Sequence, residues 1–202
     1  MWGIVMHNLQ YKRTHKNIVD AFLRLIDQKE LEEITVQQIL DEAMVHRSTF
    51  YQHFKDKYEI GEQLQAYYIE ELKRKLDMIE LNHTKSLEEV YEFAKAYFIS
   101  NRKIMKSLIK IKSDNINIVS EWKEVFLKRY LKNISESDSK NVEAIIFAAI
   151  CVEFMLYYIE NDDIHPHKIK FSDTFLNITK NIFGLANDNS VESVVNLQDK
   201  LN

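Results

Sequence analysis

Glycine and proline are nearly missing from this chain. Three glycines and one proline serve 202 residues, far too few for the tight turns that a sandwich or barrel of short strands demands. A lone cysteine, Cys151, excludes an internal disulfide and any zinc cluster built on several thiolates. It lies in the apolar run "AIIFAAICV" and reads as a small buried side chain rather than a reactive thiol. That run, bounded by Glu143 and Glu153, is shorter than the roughly 20 residues that cross a bilayer. The opening "MWGIVMHNL" lacks the basic flank and long apolar stretch of a signal peptide. A cytoplasmic protein with no membrane partner is expected. Also missing are a glycine-rich phosphate loop, an HExxH pair, a nucleotide fingerprint and a supported Ser/His/Asp arrangement. The sequence therefore predicts no enzyme and no cofactor. His165 and His167 beside Pro166 are too few ligands for a metal, so none is expected.

What is present is helical. Apolar residues make up 46% of the chain and charged residues 29%, enough for a real core under a solvated surface. "NIVDAFLRLIDQKE" sets Ile18, Ala21, Phe22, Leu25 and Ile26 on one stripe, and predicts a first helix over about 13–29. Thr35 and Gln38 have the spacing of a capping box, so a second helix starts at Thr35 with Val36, Ile39, Leu40 and Ala43 inward. A third covers about 47–53, and Asp56 with Glu59 opens a fourth that runs to about Ile79. A fifth spans about Ser86 to Ser100, and "RKIMKSLIKIK" forms a short sixth. "NIVSEWKEVFLKRYL" and "NVEAIIFAAICVEFMLYYIE" follow as two more. Pro166 starts a last long helix that Gly184 stops. The fold class predicted is all-α.

The stretch "VHRSTFYQHFKDKYEI" is unusual within this pattern. Phe50 and Phe54 share one side of the third helix at i, i+4. Ser48, Thr49, Gln52 and His53 then fall on the other side, with Arg47 and Tyr51 at the boundary. Such a short, hydrogen-bonding, barely acidic face suits a DNA major groove, which admits one helix. The net charge of −4 excludes a uniformly basic protein but not a local basic face. Lys12, Arg13 and Lys16 precede or open the first helix, and Lys55 and Lys57 follow the third. Most acids of this region lie between these clusters in sequence, which leaves the cations for phosphates.

"ITVQQILDEAMVHRSTFYQHFKDKYEI" resembles the N-terminal helix-turn-helix of the tetracycline-repressor (TetR) family of bacterial transcriptional regulators. The resemblance covers roughly residues 10–60. It implies that Thr35, Tyr51 and Lys57 contact phosphates, and that Arg47, Ser48, Thr49 and His53 approach bases or backbone. Gln37 would reach a base edge, and Arg47 would read a guanine. Two positions depart from the family pattern. Met44 stands where a glycine usually ends the second helix, and His46 where Ser or Thr usually caps the third.

The resemblance also implies the remaining organisation. Residues 1–56 would form the three-helix DNA-binding domain, and 57–202 a larger helical domain for effector binding and dimerisation. The expected partners are a palindromic duplex operator, a small-molecule effector and a second copy of the chain. The long apolar helix and "FSDTFLNITKNIFGL" would pair with their twofold mates. Trp122, Phe126, Phe154, Tyr157 and Tyr158 are candidates for an effector pocket, although a run of aromatics at helical spacing is more often core than pocket. The function expected is a ligand-responsive repressor. The alternative is a helical interaction adaptor that has kept the fold and lost operator binding.

Overall fold

The computed structural model describes residues 2–81, 87–133 and 138–161. The expected last helix, with Pro166, Gly184 and the flanking His165 and His167, lies outside them. Among the described residues there are seven α-helices: α1 Trp2–Ile26, α2 Val36–Ala43, α3 Arg47–Phe50, α4 Lys57–Leu81, α5 Leu87–Lys110, α6 Ile118–Asn133 and α7 Lys140–Glu160. A 3₁₀ turn, Leu31–Glu33, precedes α2. Among the described residues, extended pairing is confined to one isolated bridge between Ser113 and Ile116.

Two compact units divide the chain. One comprises Met1–Lys73 with Asn101–Trp122, the other Arg74–Ser100 with Lys123–Asn202. In the first unit the predicted stripe of α1 is buried in full: Ile18, Ala21, Phe22, Leu25 and Ile26. Ile39, Leu40 and Ala43 of α2 are buried as well, together with Phe50 and Phe54. An isolated helix needs about 12–15 residues to persist in water, and α2 has only eight. Its stability therefore comes from packing, at roughly 1.5–3 kcal/mol for each large side chain buried. Val36, expected inside, is only half-buried, as is Val45 in the turn that follows.

Helix boundaries follow capping chemistry where a cap exists. The Thr35 hydroxyl accepts from the Gln38 amide at 3.2 Å, and Gln38 Oε1 accepts from the Thr35 amide at 3.0 Å. Both halves of the capping box are thus made. Asp56 Oδ1 accepts from the Glu59 amide at 2.8 Å at the start of α4. Where no cap exists, the expected boundaries shift. Helix α1 begins at Trp2 rather than near 13, because nothing in "YKRTHK" breaks a helix, however polar it is. The predicted fifth and sixth helices are one, α5. The polar run "SNRK" at their junction lies on the outer side of a helix whose inner stripe continues through Tyr97, Phe98, Met105 and Leu108. Helix α3 is four residues long rather than seven. Beyond Phe50 the Gln52 amide donates to Thr49 and the His53 amide to Phe50, a tighter turn.

In the second unit Tyr97, Phe98, Phe126, Ala144, Ala148, Val152, Met155, Tyr158 and Ile159 are buried. The apolar run around Cys151 is the centre of α7, which spans 21 residues and is long and apolar enough, by length and composition alone, to cross a membrane. Glu153 sits inside it, and a carboxylate deep in hydrocarbon costs about 2.5–3.5 kcal/mol. That cost disfavours a membrane span for α7. Cys151, expected buried, is half-buried; desolvation pushes its thiol up to about 12, so it stays protonated near neutrality.

Candidate nucleic-acid interface

The turn between α2 and α3 is closed by backbone bonds. The Met44 amide donates to Asp41 at 3.3 Å and the Val45 amide to Leu40 at 3.1 Å. This is the Schellman pattern, which needs a left-handed residue after the helix. Met44 supplies it with φ 54° and ψ 47°. His46 then caps α3 from extended backbone, and its side chain makes no capping hydrogen bond.

Phe50 and Phe54 anchor the reading segment, their ring centroids 6.0 Å apart and both sealed from solvent. With these rings inward, Arg47, Ser48, Tyr51 and Gln52 are exposed and Thr49 is half-buried. The Arg47 guanidinium lies back over the Tyr51 ring, 5.6 Å from its centroid, and donates to the Tyr51 hydroxyl at 3.3 Å. Cation–π contact of this kind orients a long side chain that would otherwise wander. Gln37 is exposed in the first turn of α2 and donates to Asp41 at 2.8 Å. Lys16 is exposed and paired with Asp20 on the next turn of α1. Exposed pairs such as these are worth about 0–1 kcal/mol, so a phosphate or base can displace the carboxylate. Thr35 is exposed at the N-terminus of α2, where first-turn N–H groups lack intrahelical acceptors and favour anions.

Two sequence-nominated residues are placed otherwise. His53 is not on the outward face. It is only 9% exposed, stacked at 4.0 Å on Tyr11 and 5.6 Å from His15. The short α3 explains this: the tight turn after Phe50 swings His53 round to the α1 side. Lys57 is half-buried, and its ammonium is bonded to the carbonyls of Leu31, Glu32 and Ile34.

Residues 18–64 match the family model described as bacterial regulatory proteins, tetR family. The amino-terminal helix-turn-helix is a tetR-family DNA-binding domain. No curated protein sequence matches the chain. Among solved structures, a gamma-butyrolactone receptor (ArpA-like protein) is similar over 72% of this chain and 83% of its own, at 17% identity and a TM-score of 0.53. Native NalD, the secondary repressor of the MexAB-OprM multidrug efflux pump in Pseudomonas aeruginosa, is similar over 86% of this chain and 96% of its own. Its identity is 14% and its TM-score 0.55. At such identities the likeness is one of fold.

Ahead of the matched residues, α1 carries one contributor that sequence reasoning passed over. Tyr11 links α1 to the reading segment, since its ring stacks on His53 and its hydroxyl donates to the Gln52 carbonyl at 3.5 Å. The available signal was the i, i+4 spacing of Tyr11 and His15, whose rings are indeed stacked at 6.3 Å. His15 in turn stacks on Phe54 at 4.7 Å. Burial holds His15 below the usual histidine range. His53 is lowered by burial first and by the neighbouring His15 second. Each Nδ1 is buried without a hydrogen-bond partner, which also favours the neutral rings.

The effector candidates divide between the units. Trp122 ends the first unit and is 1% exposed. Phe126, Phe154, Tyr157 and Tyr158 belong to the second. There Tyr158 is sealed, Phe126 is buried, Phe154 is half-buried, and Tyr157 is exposed.

Proposed function

We propose that this protein is a transcriptional regulator of the repressor type that binds a palindromic operator as a homodimer and is released by a small-molecule effector. The observation that carries this reading is the exposed edge of α3. Arg47, Ser48, Tyr51 and Gln52 stand in solvent on a segment pinned from behind by Phe50 and Phe54. Arg47 and Gln52 would address base edges, and Ser48 and Thr49 bases or the adjacent backbone. Thr35, Tyr51 and Lys16 would hold phosphates, with Gln37 at the margin of the groove. His53 supports the segment from inside. The protein would act in the cytoplasm, where the duplex is.

A homodimer presents two such edges, and these must stand about 34–36 Å apart to enter successive major grooves. An effector acts by favouring a different spacing, and only through its unequal affinity for the two arrangements. Helices α6 and α7, which carry Phe126, Phe154 and Tyr157, are the place proposed for it. The solved relatives named as a receptor and a repressor support this reading by fold.

Selection of duplexes from a random pool tests the proposal directly. A palindromic consensus with a half-site spacing near one helical turn is expected. Arg47→Ala is expected to weaken binding to the selected duplex by about 1–3 kcal/mol and to relax preference at one base pair. Recovery of no duplex would transfer the chain to the adaptor reading.

A further inference from the structure

Lys57 opens α4, the unfavourable end of a helix for a cation, because the first-turn N–H groups already carry partial positive charge. Its Nζ lies 2.7 Å from the Leu31 carbonyl oxygen, 3.0 Å from that of Glu32 and 2.7 Å from that of Ile34. The Tyr58 ring covers it at 5.1 Å. An ammonium has three N–H donors and no acceptor, so these three carbonyls use all of its hydrogen-bonding capacity. They belong to the 3₁₀ turn and the residue that ends it; the Leu31 carbonyl also accepts from the Ile34 amide at 3.2 Å, so the ammonium takes its second lone pair. The next residue is Thr35, the N-cap of α2. One side chain thus ties the entry of α2 to the start of α4, and the turn and α3 lie between them in the chain. A phosphate could recruit this ammonium only by displacing one of these carbonyls from its N–H donors.

We propose that Lys57 is a positioning residue of the reading head: its ammonium clasps the carbonyls of Leu31, Glu32 and Ile34 and sets the attitude of α2 and α3, and it is not a phosphate ligand. The functional half of this inference rests on the DNA-binding reading above; the clasp does not.

The test uses the full chain with Lys57→Met and Lys57→Arg. Amide hydrogen exchange is followed on the free protein, and affinity is followed against salt on the duplex that the wild type selects. Lys57→Met is expected to speed exchange over 31–38 by about tenfold or more, as local opening becomes easier. Its DNA affinity is expected to fall by at least about tenfold, with the slope of log affinity against log salt unchanged. Lys57→Arg should behave in the same direction, because a planar guanidinium cannot place three donors as a tripod. A phosphate ligand would instead tolerate arginine. A slope shallower by about 0.9 in Lys57→Met, with exchange unchanged, would show a phosphate contact and overturn the proposal. Faster exchange with unaltered affinity overturns the positioning role and leaves a purely structural clasp. A wild type that selects no duplex removes the DNA-binding reading, and the exchange data then decide the clasp alone.

Discussion

Met44 ends α2 in the left-handed region, with its side chain 93% exposed. A non-glycine residue there costs about 1–2 kcal/mol, and an exposed side chain returns little packing for it. Met44→Gly removes the clash but adds freedom to the unfolded chain, which takes back about 0.5–1 kcal/mol. A net gain of about 0.5–1 kcal/mol is expected, read as a higher urea midpoint at unchanged slope. A loss would mean that the methionine packs on something that its exposure denies. The histidine pair makes a second residue-scale prediction. Both His15 and His53 are lowered in the folded state, so below the ordinary histidine value the unfolded chain binds more protons. Their contribution to stability is therefore complete above about pH 6.5 and is lost as pH falls from there through the lower folded values. His53→Phe keeps the stack on Tyr11 without the titration. It is expected to flatten the acid limb of a stability-against-pH curve, and an unaltered limb would refute the assignment.

Between elements, Gly61 decides how closely α4 approaches the turn before α6. A Cβ placed there would lie 2.8 Å from Ile116 Cδ1, and Ile116 is itself fully buried. Asn115 fastens the same turn, donating to Glu62 at 3.2 Å and accepting from Gln65 at 3.3 Å. Glycine inside a helix costs about 1 kcal/mol relative to alanine, yet overpacking a closed site costs about 1–3 kcal/mol. Gly61→Ala should therefore destabilise by about 1 kcal/mol despite its better propensity. Ile116→Val removes the offending methyl. Alone it should cost about 0.5–1.5 kcal/mol, but combined with Gly61→Ala it should restore most of the loss. Strictly additive denaturation energies in that cycle would show that the two side chains do not compete.

For the whole molecule, the outward side of α7 matters most. Val142, Ile145, Ile146 and Tyr157 are about half exposed or more, and they fall on one side of the helix with exposed Glu153 among them, away from buried Ala144, Ala148, Val152 and Met155. A wet side of this largely apolar character fits the proposed dimer, in which a twofold mate covers it. Ile145→Glu with Ile146→Glu is expected to give a monomer by sedimentation and to abolish tight binding to the selected duplex, while far-ultraviolet dichroism stays helical. A double variant that still sediments as a dimer would place the interface elsewhere.

Spacing and capping chemistry alone determined the helical class, the buried stripe of α1, the start of α2 at Thr35 and the anchoring by Phe50 and Phe54. These depend on interactions within one or two turns, which the order of residues expresses directly. The same local reading placed Arg47 at the boundary of the polar face, whereas Met44 was marked only by the family resemblance. It could not find the inward turn of His53, because that follows from where α3 stops and from a tyrosine on another helix. It could not find the carbonyl clasp on Lys57, because the three carbonyls that hold it lie more than twenty positions earlier in the chain. Nor could it join the two halves of α5, whose polar surface hides a continuous inner stripe. Local order fixes what a segment can be. The partners of its polar groups are chosen only when distant segments meet, since a buried donor takes whichever acceptor the packing brings within reach.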